Sequence, residues 1–121
     1  MPEYRVIIAG GREFQDYELV KERVGYYLQN KLKSDTVIIV SGHAPGADTL
    51  GERYAHEHGL KCELYPADWN THGKAAGPIR NAEMANNADA LIAFWDGESR
   101  GTKNMIETAK AKGLRVAVVK Y

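Results

Sequence analysis

The sequence predicts an α/β domain of the Rossmann-like, doubly wound kind: three layers, with a five-stranded parallel sheet between two sets of helices. Three observations lead there. Five short apolar runs alternate with segments whose apolar residues recur at helical spacing. Each run stops at glycine or small polar residues, as a strand buried on both faces does where it meets a turn. The segments between runs are long enough for crossover helices, and right-handed crossovers leave few arrangements other than a parallel sheet covered on both sides. The strand order expected is 3-2-1-4-5, which puts the reversal of direction between the first and fourth strands, where such sheets take their ligands.

Each element has its own signal. Residues 4–9 (YRVIIA) form the first strand, ended by Gly10-Gly11. From Asp16, placed as an amino-terminal cap, the stripe Tyr17, Val20, Val24, Tyr27, Leu28 and Leu32 marks the first helix. Residues 36–40 (TVIIV) are the second strand, and residues 47–58 the second helix, with Gly59 as its terminator. Residues 61–65 are the third strand. Residues 66–77 are expected as a loop longer than most strand-to-helix connections, rich in Gly, Asn, Asp and His and carrying Trp69. A helix over 78–87 tolerates Pro78 in its first turn. Residues 88–94 (ADALIAF) are the fourth strand, 95–101 the next loop, 102–112 the last helix, closed by Gly113, and 115–119 (RVAVV) the fifth strand.

The chain of 121 residues suits a single domain over residues 1–121, and 44% hydrophobic with 26% charged residues supports a packed core. Sixteen basic residues balance sixteen acidic ones, so no net field draws the protein to a polyanion, and nucleic acid is not the expected partner. The single cysteine, Cys62, has no intrachain partner and fits a reducing compartment. No signal peptide or membrane-length apolar run is read, so a cytoplasmic location and no membrane partner are expected.

Three loops fall at the carboxyl ends of the strands and carry the residues suited to holding an anion. Gly10-Gly11-Arg12 joins two residues that let backbone amides approach a phosphate to a guanidinium that can hold one with two bonds. Ser41-Gly42-His43, followed by Asp48 at a helix start, adds a hydroxyl and helix-end amides; Asp48 suits either a helix cap or contact with ribose or a metal. Gly97 through Thr102 adds Ser99, Gly101 and Thr102 just before a helix, with Asp96 suited to a ribose hydroxyl or a hydrated cation. Trp69 is a candidate for stacking on a base, and Arg80 with Asn81 stands one turn into a helix from which it can reach the same crevice. The ligand-binding candidates are therefore Gly10, Gly11, Arg12, Ser41, Gly42, His43, Asp48, Trp69, Arg80, Asn81, Asp96, Ser99, Gly101 and Thr102. No metal site is assigned and no cofactor is required, although Mg²⁺ accompanying a nucleotide is compatible with Asp48 or Asp96.

The succession GGREF, SGHAPGAD, PADW, GKAAGPIRN and FWDGESRGT resembles the YspA-like, YpsA-related branch of the SLOG superfamily, over nearly the whole chain. That superfamily also holds the LOG phosphoribohydrolases and DNA-processing protein A. The resemblance implies a nucleotide or nucleotide-derived ligand, such as a relative of ADP-ribose or NAD. Arg80, Asn81 and Met84 are similar to the arginine-bearing helix of the LOG enzymes, and Gly101-Thr102 to the end of their PGGxGTxxE loop. Here the next acid is Glu107, five residues after Thr102 instead of three, and on a helix those spacings point about 200° apart. The ribose-contacting glutamate is thus unmatched. The leading expectation is a binding module that senses or sequesters its ligand. The alternative is an enzyme cleaving an N-glycosidic or phosphate bond, with Asp96, Glu98 or His43 as acid or base. Related folds pair through helices, and a homo-oligomer is expected.

Overall fold

A computed structural model describes residues 2–121. In chain order the elements are β1 (Glu3–Gly10), α1 (Tyr17–Leu28), α2 (Lys31–Ser34), β2 (Thr36–Ser41), α3 (Ala47–Glu57), β3 (Lys61–Leu64), α4 (Trp69–His72), a 3₁₀ turn (Gly73–Ala75), α5 (Ala76–Asn86), β4 (Ala90–Trp95), α6 (Arg100–Ala111) and β5 (Arg115–Lys120). All strand pairs are parallel and the order is β3-β2-β1-β4-β5, as expected from the sequence.

The alternation of side chains along β1 explains the layers. Val6 and Ile8 face one way, onto α1 through Val20, Val24 and Leu28 and onto α3 through Tyr54 and Ala55. Ile7 and Ala9 face the other, onto α5 through Met84 and Ala85 and onto α6 through Met105, Ile106 and Ala109. Val6, Ile7 and Ile8 are wholly buried, each contributing about 2 kcal/mol of apolar transfer energy. In register, Ile7 lies between Val40 of β2 and Leu91 of β4, so the middle strand is buried and apolar over Val6 to Ala9 while the edge strands β3 and β5 keep exposed ends.

Four regions differ by two residues or more from the boundaries the sequence suggests. The first helix stops at Leu28; Leu32 belongs to the separate turn α2 and stays partly exposed. The expected loop over 66–77 is mostly helical, because the Asp68 carboxylate caps α4 by accepting from the Thr71 amide at 3.2 Å, and α5 then starts at Ala76, two residues before Pro78. α6 starts at Arg100, two residues early, with Ser99 as its cap. β4 starts at Ala90, two residues late. The Asp16 cap holds as read, accepting from the Leu19 amide at 3.1 Å. Among the described residues, no helix is long and apolar enough to cross a membrane.

Candidate functional site

Where β1 and β4 part at the reversal of strand order, their carboxyl ends open into a cleft of about 630 Å³. Eleven of the fourteen candidate ligand residues line it. Gly10, Gly11 and Arg12 come from the β1–α1 loop, and Asp48 from the start of α3. Trp69 comes from α4, and Arg80 with Asn81 from α5. Asp96, Ser99, Gly101 and Thr102 come from the β4–α6 junction. Ser41, Gly42 and His43 do not line it, nor does Glu98, which is exposed. Glu107 is exposed on α6 and stands away from the cleft as well.

Several amides of the first two loops, those of Gly10 and Gly11 among them, are taken up by acceptors within the protein. The Gly11 amide donates to the Phe94 carbonyl at 3.2 Å, and the Gly11 carbonyl accepts from Ala47 at 3.1 Å and from Phe14 at 3.3 Å. The Gly10 amide serves the Asp48 carboxylate. In the second loop the His43 amide donates to the Ser41 hydroxyl and the Ala44 amide to Asp48. What the glycines supply is closeness. Gly46, at φ 84°, sits against the Gly11 carbonyl, and a Cβ there would lie 2.6 Å from the Arg12 backbone. Ser41 is also committed: it is fully buried, and its hydroxyl donates to Glu52 at 2.8 Å.

The third loop behaves differently. Asp96 accepts from the Glu98 and Ser99 amides at 2.8 and 2.9 Å through one carboxylate oxygen, and these bonds hold it below the usual carboxylate range. That turn delivers Ser99 to its capping position, and the Ser99 and Thr102 hydroxyls lie 3.1 Å apart. Among the described residues, nothing accepts from the amides of Arg100 and Gly101, the first two of α6. They are the unfilled donors every helix start presents, with the dipole favouring negative charge beside them.

Around these donors stand four cations, Arg12, Lys74, Arg80 and Arg100, and among the described residues none of them forms an ion pair with a carboxylate. Arg80 is the best held. Its Nη1 donates to the Gly42 carbonyl at 2.6 Å and its Nε to Asn81 Oδ1 at 3.0 Å, while Asn81 donates to Asn104 at 2.9 Å. Asn81 is thereby a positioning residue that ties the guanidinium to α6. Burial presses Arg80 below its usual range and Arg12 adds to this, with Asp48 opposing. Asp48, in turn, is pushed up to about 6 by burial, which outweighs the Arg80 charge. Gly42 makes this packing possible, since a Cβ there would lie 2.8 Å from both Arg80 Cζ and Asp48 Oδ2.

Trp69 and Tyr121 flank the mouth, each about half exposed; Arg12 lies 5.7 Å from the Trp69 ring centre, and Tyr121 packs on Phe14 at 4.5 Å. His43 and Gly42 line a smaller neighbouring cavity instead. The cleft residues absent from the sequence reading are chiefly Lys74, Arg100, Asn104 and Tyr121. Arg100 carried a usable signal, being the first residue of a helix after a glycine-bearing turn. Tyr121 carried none, because only the pairing of β5 with β4 brings it there.

Comparison with known proteins agrees with this fold. The model of the YspA, cpYpsA-related SLOG family (YAcAr) matches residues 4–72, more than half of the chain. The Gene 61 protein of Mycobacterium phage D29 is 36% identical over 118 residues, covering 93% of each chain. Among solved structures, DNA processing protein A of Streptococcus pneumoniae superposes with a TM-score of 0.73 over 97% of this chain at 20% identity. That likeness is one of fold, and this chain spans half the length of the DNA processing protein structure.

Proposed function

The chain belongs to the YspA, cpYpsA-related SLOG family, and on that premise we propose that its cleft binds a nucleotide-derived, phosphate-bearing small molecule related to ADP-ribose or NAD. The observation that carries this reading is the set of four cleft cations without carboxylate partners, gathered around two unfilled amides at the start of α6. These four cations outnumber the three acidic residues of the cleft, Glu13, Asp48 and Asp96, and an anion with several oxygens accepts from guanidinium forks and amides together. A phosphate rests on the Arg100 and Gly101 amides and the Ser99 and Thr102 hydroxyls. Arg80, locked by Gly42 and Asn81, adds the directed charge, and Trp69 offers its exposed face to a base.

Sensing or sequestering such a ligand is the role this arrangement supports best. Of the candidate acids and bases, Asp96 is engaged as a turn cap and Glu98 and His43 lie outside the cleft, which leaves binding better supported than cleavage. A cytoplasmic setting suits the free Cys62. A homo-oligomer is proposed with it; Tyr26 and Tyr27 stand exposed on α1, and light scattering counts the subunits. Calorimetric titration with ADP-ribose, NAD, AMP and a cyclic dinucleotide tests the reading. Saturable binding of at least one is expected, and no heat from any at millimolar ligand overturns it.

A further inference from the structure

Beside the cleft lies a cavity of about 140 Å³, and Arg12, Ala44, Trp69 and Arg80 line both. The two spaces are therefore divided by two guanidiniums and an indole, with His43, Pro45 and Pro66 on the far side. His43 is held there in an unusual way. It is the one non-glycine residue at positive φ among the described residues, at 58°, a conformation that costs an ordinary side chain energy. Its Nδ1 lies 2.9 Å from Glu52, whose other bond is to the buried Ser41 hydroxyl. A carboxylate only accepts, so Nδ1 carries the proton in the neutral ring and Nε2 is left as an acceptor. Ser41, Glu52 and His43 all stand outside the lining of the cleft.

We propose that this small cavity is a second subsite, and that the ligand is a nucleoside diphosphate sugar whose far sugar enters it. The proposal rests on the nucleotide reading above and deepens it. A nucleoside monophosphate fills the cleft, with its phosphate at α6. A second phosphoryl group then falls to Arg12 and Arg80, which line both spaces. The cavity beyond holds about five waters' volume, enough for one pentose ring. His43 Nε2 accepts from a sugar hydroxyl, and the rings of Pro45 and Pro66 cover the sugar's apolar face. Glu52 is a positioning residue that fixes the tautomer.

The test compares ADP-ribose with AMP by calorimetry on the full chain. His43→Gly removes the imidazole and suits the left-handed backbone, so a thermal melt is expected to show an intact fold. Wild-type protein is expected to bind ADP-ribose more tightly than AMP, and His43→Gly to lower the ratio of the two affinities about fivefold, the loss of one hydrogen bond. ¹⁵N spectra of the histidine ring supply a second readout. Nδ1 is protonated in wild-type protein, Nε2 shifts with ADP-ribose and not with AMP, and Glu52→Ala loses the tautomer preference. An unchanged ratio in His43→Gly, or an Nε2 signal indifferent to ADP-ribose, overturns the subsite while leaving AMP binding in the cleft intact. Failure of wild-type protein to bind either ligand overturns the cleft reading and the subsite with it.

Discussion

Asp48 is buried at 4% exposure beside Arg80, and its carboxyl is pushed up to about 6, with burial the largest cause. An acid whose folded value lies above its unfolded one holds its proton more firmly in the folded state. The stability it lends is complete below the ordinary value of 3.8 and is lost as pH rises through about 6. That interval, at about 1.4 kcal/mol for each pH unit, gives a loss of about 3 kcal/mol. Attraction to Arg80, the Gly10 and Ala44 amides and repulsion from Glu52 are already contained in the raised value. Asp48→Asn has no proton to lose, so the variant is expected to gain on wild type by about 3 kcal/mol between pH 4 and pH 7.5, or about 10 °C in Tm at this chain length. Urea unfolding of both proteins at pH 4, 5, 6 and 7.5 measures the gap. A gap that stays constant across this range, or widens as pH falls, refutes the claim that burial of the charge dominates at this position.

Other consequences follow from the same contacts. Gly46→Ala forces a side chain into positive φ and onto the Arg12 backbone, so a loss of about 2–5 kcal/mol is expected in urea unfolding. Gly101→Ala meets nothing within 4 Å and improves helix propensity in α6, so stability is expected to rise by a few tenths to about 1 kcal/mol in the same assay. Arg80→Lys cannot keep the bonds to Gly42 and Asn81 together, and calorimetry is expected to show ADP-ribose binding weakened about tenfold or more. Because ionised Asp48 sets a negative charge at the cleft, ADP-ribose affinity is expected to fall as pH rises through about 6, and Asp48→Asn to flatten that profile.

The strand order was legible in the sequence because fully apolar runs such as VIIA and VIIV admit burial on both faces, and crossover handedness then restricts the topology. The cleft followed from that order, which is why residues as distant as Gly10, Arg80 and Thr102 were read as neighbours. The short helix α4 was not legible, because four residues show no periodicity and only the Asp68 cap marks it. Nor was the fate of the loop amides: that Gly11 donates to Phe94 and the Ala47 amide donates to Gly11 depends on how closely two turns pack, and turn composition is the same whether an amide faces a ligand or a carbonyl. Ser41 was read as a phosphate hydroxyl for the same reason, although Glu52, eleven residues on and one helix away, takes it. The sequence thus located the pocket through its side chains, while the engagement of the Gly10 and Gly11 amides follows only from how the turns pack.

Negative charge is received at the start of α6, while Gly10 and Gly11 at the end of β1 serve packing. An ¹⁵N–¹H titration of the labelled protein with ADP-ribose reads this residue by residue. The account predicts saturable shifts concentrated at the amides of Arg100 and Gly101 and at the Arg80 side chain, with the Gly11 amide little moved. Shifts concentrated at Gly10 and Gly11 with Arg100 and Gly101 silent, or no shifts at all, contradict it.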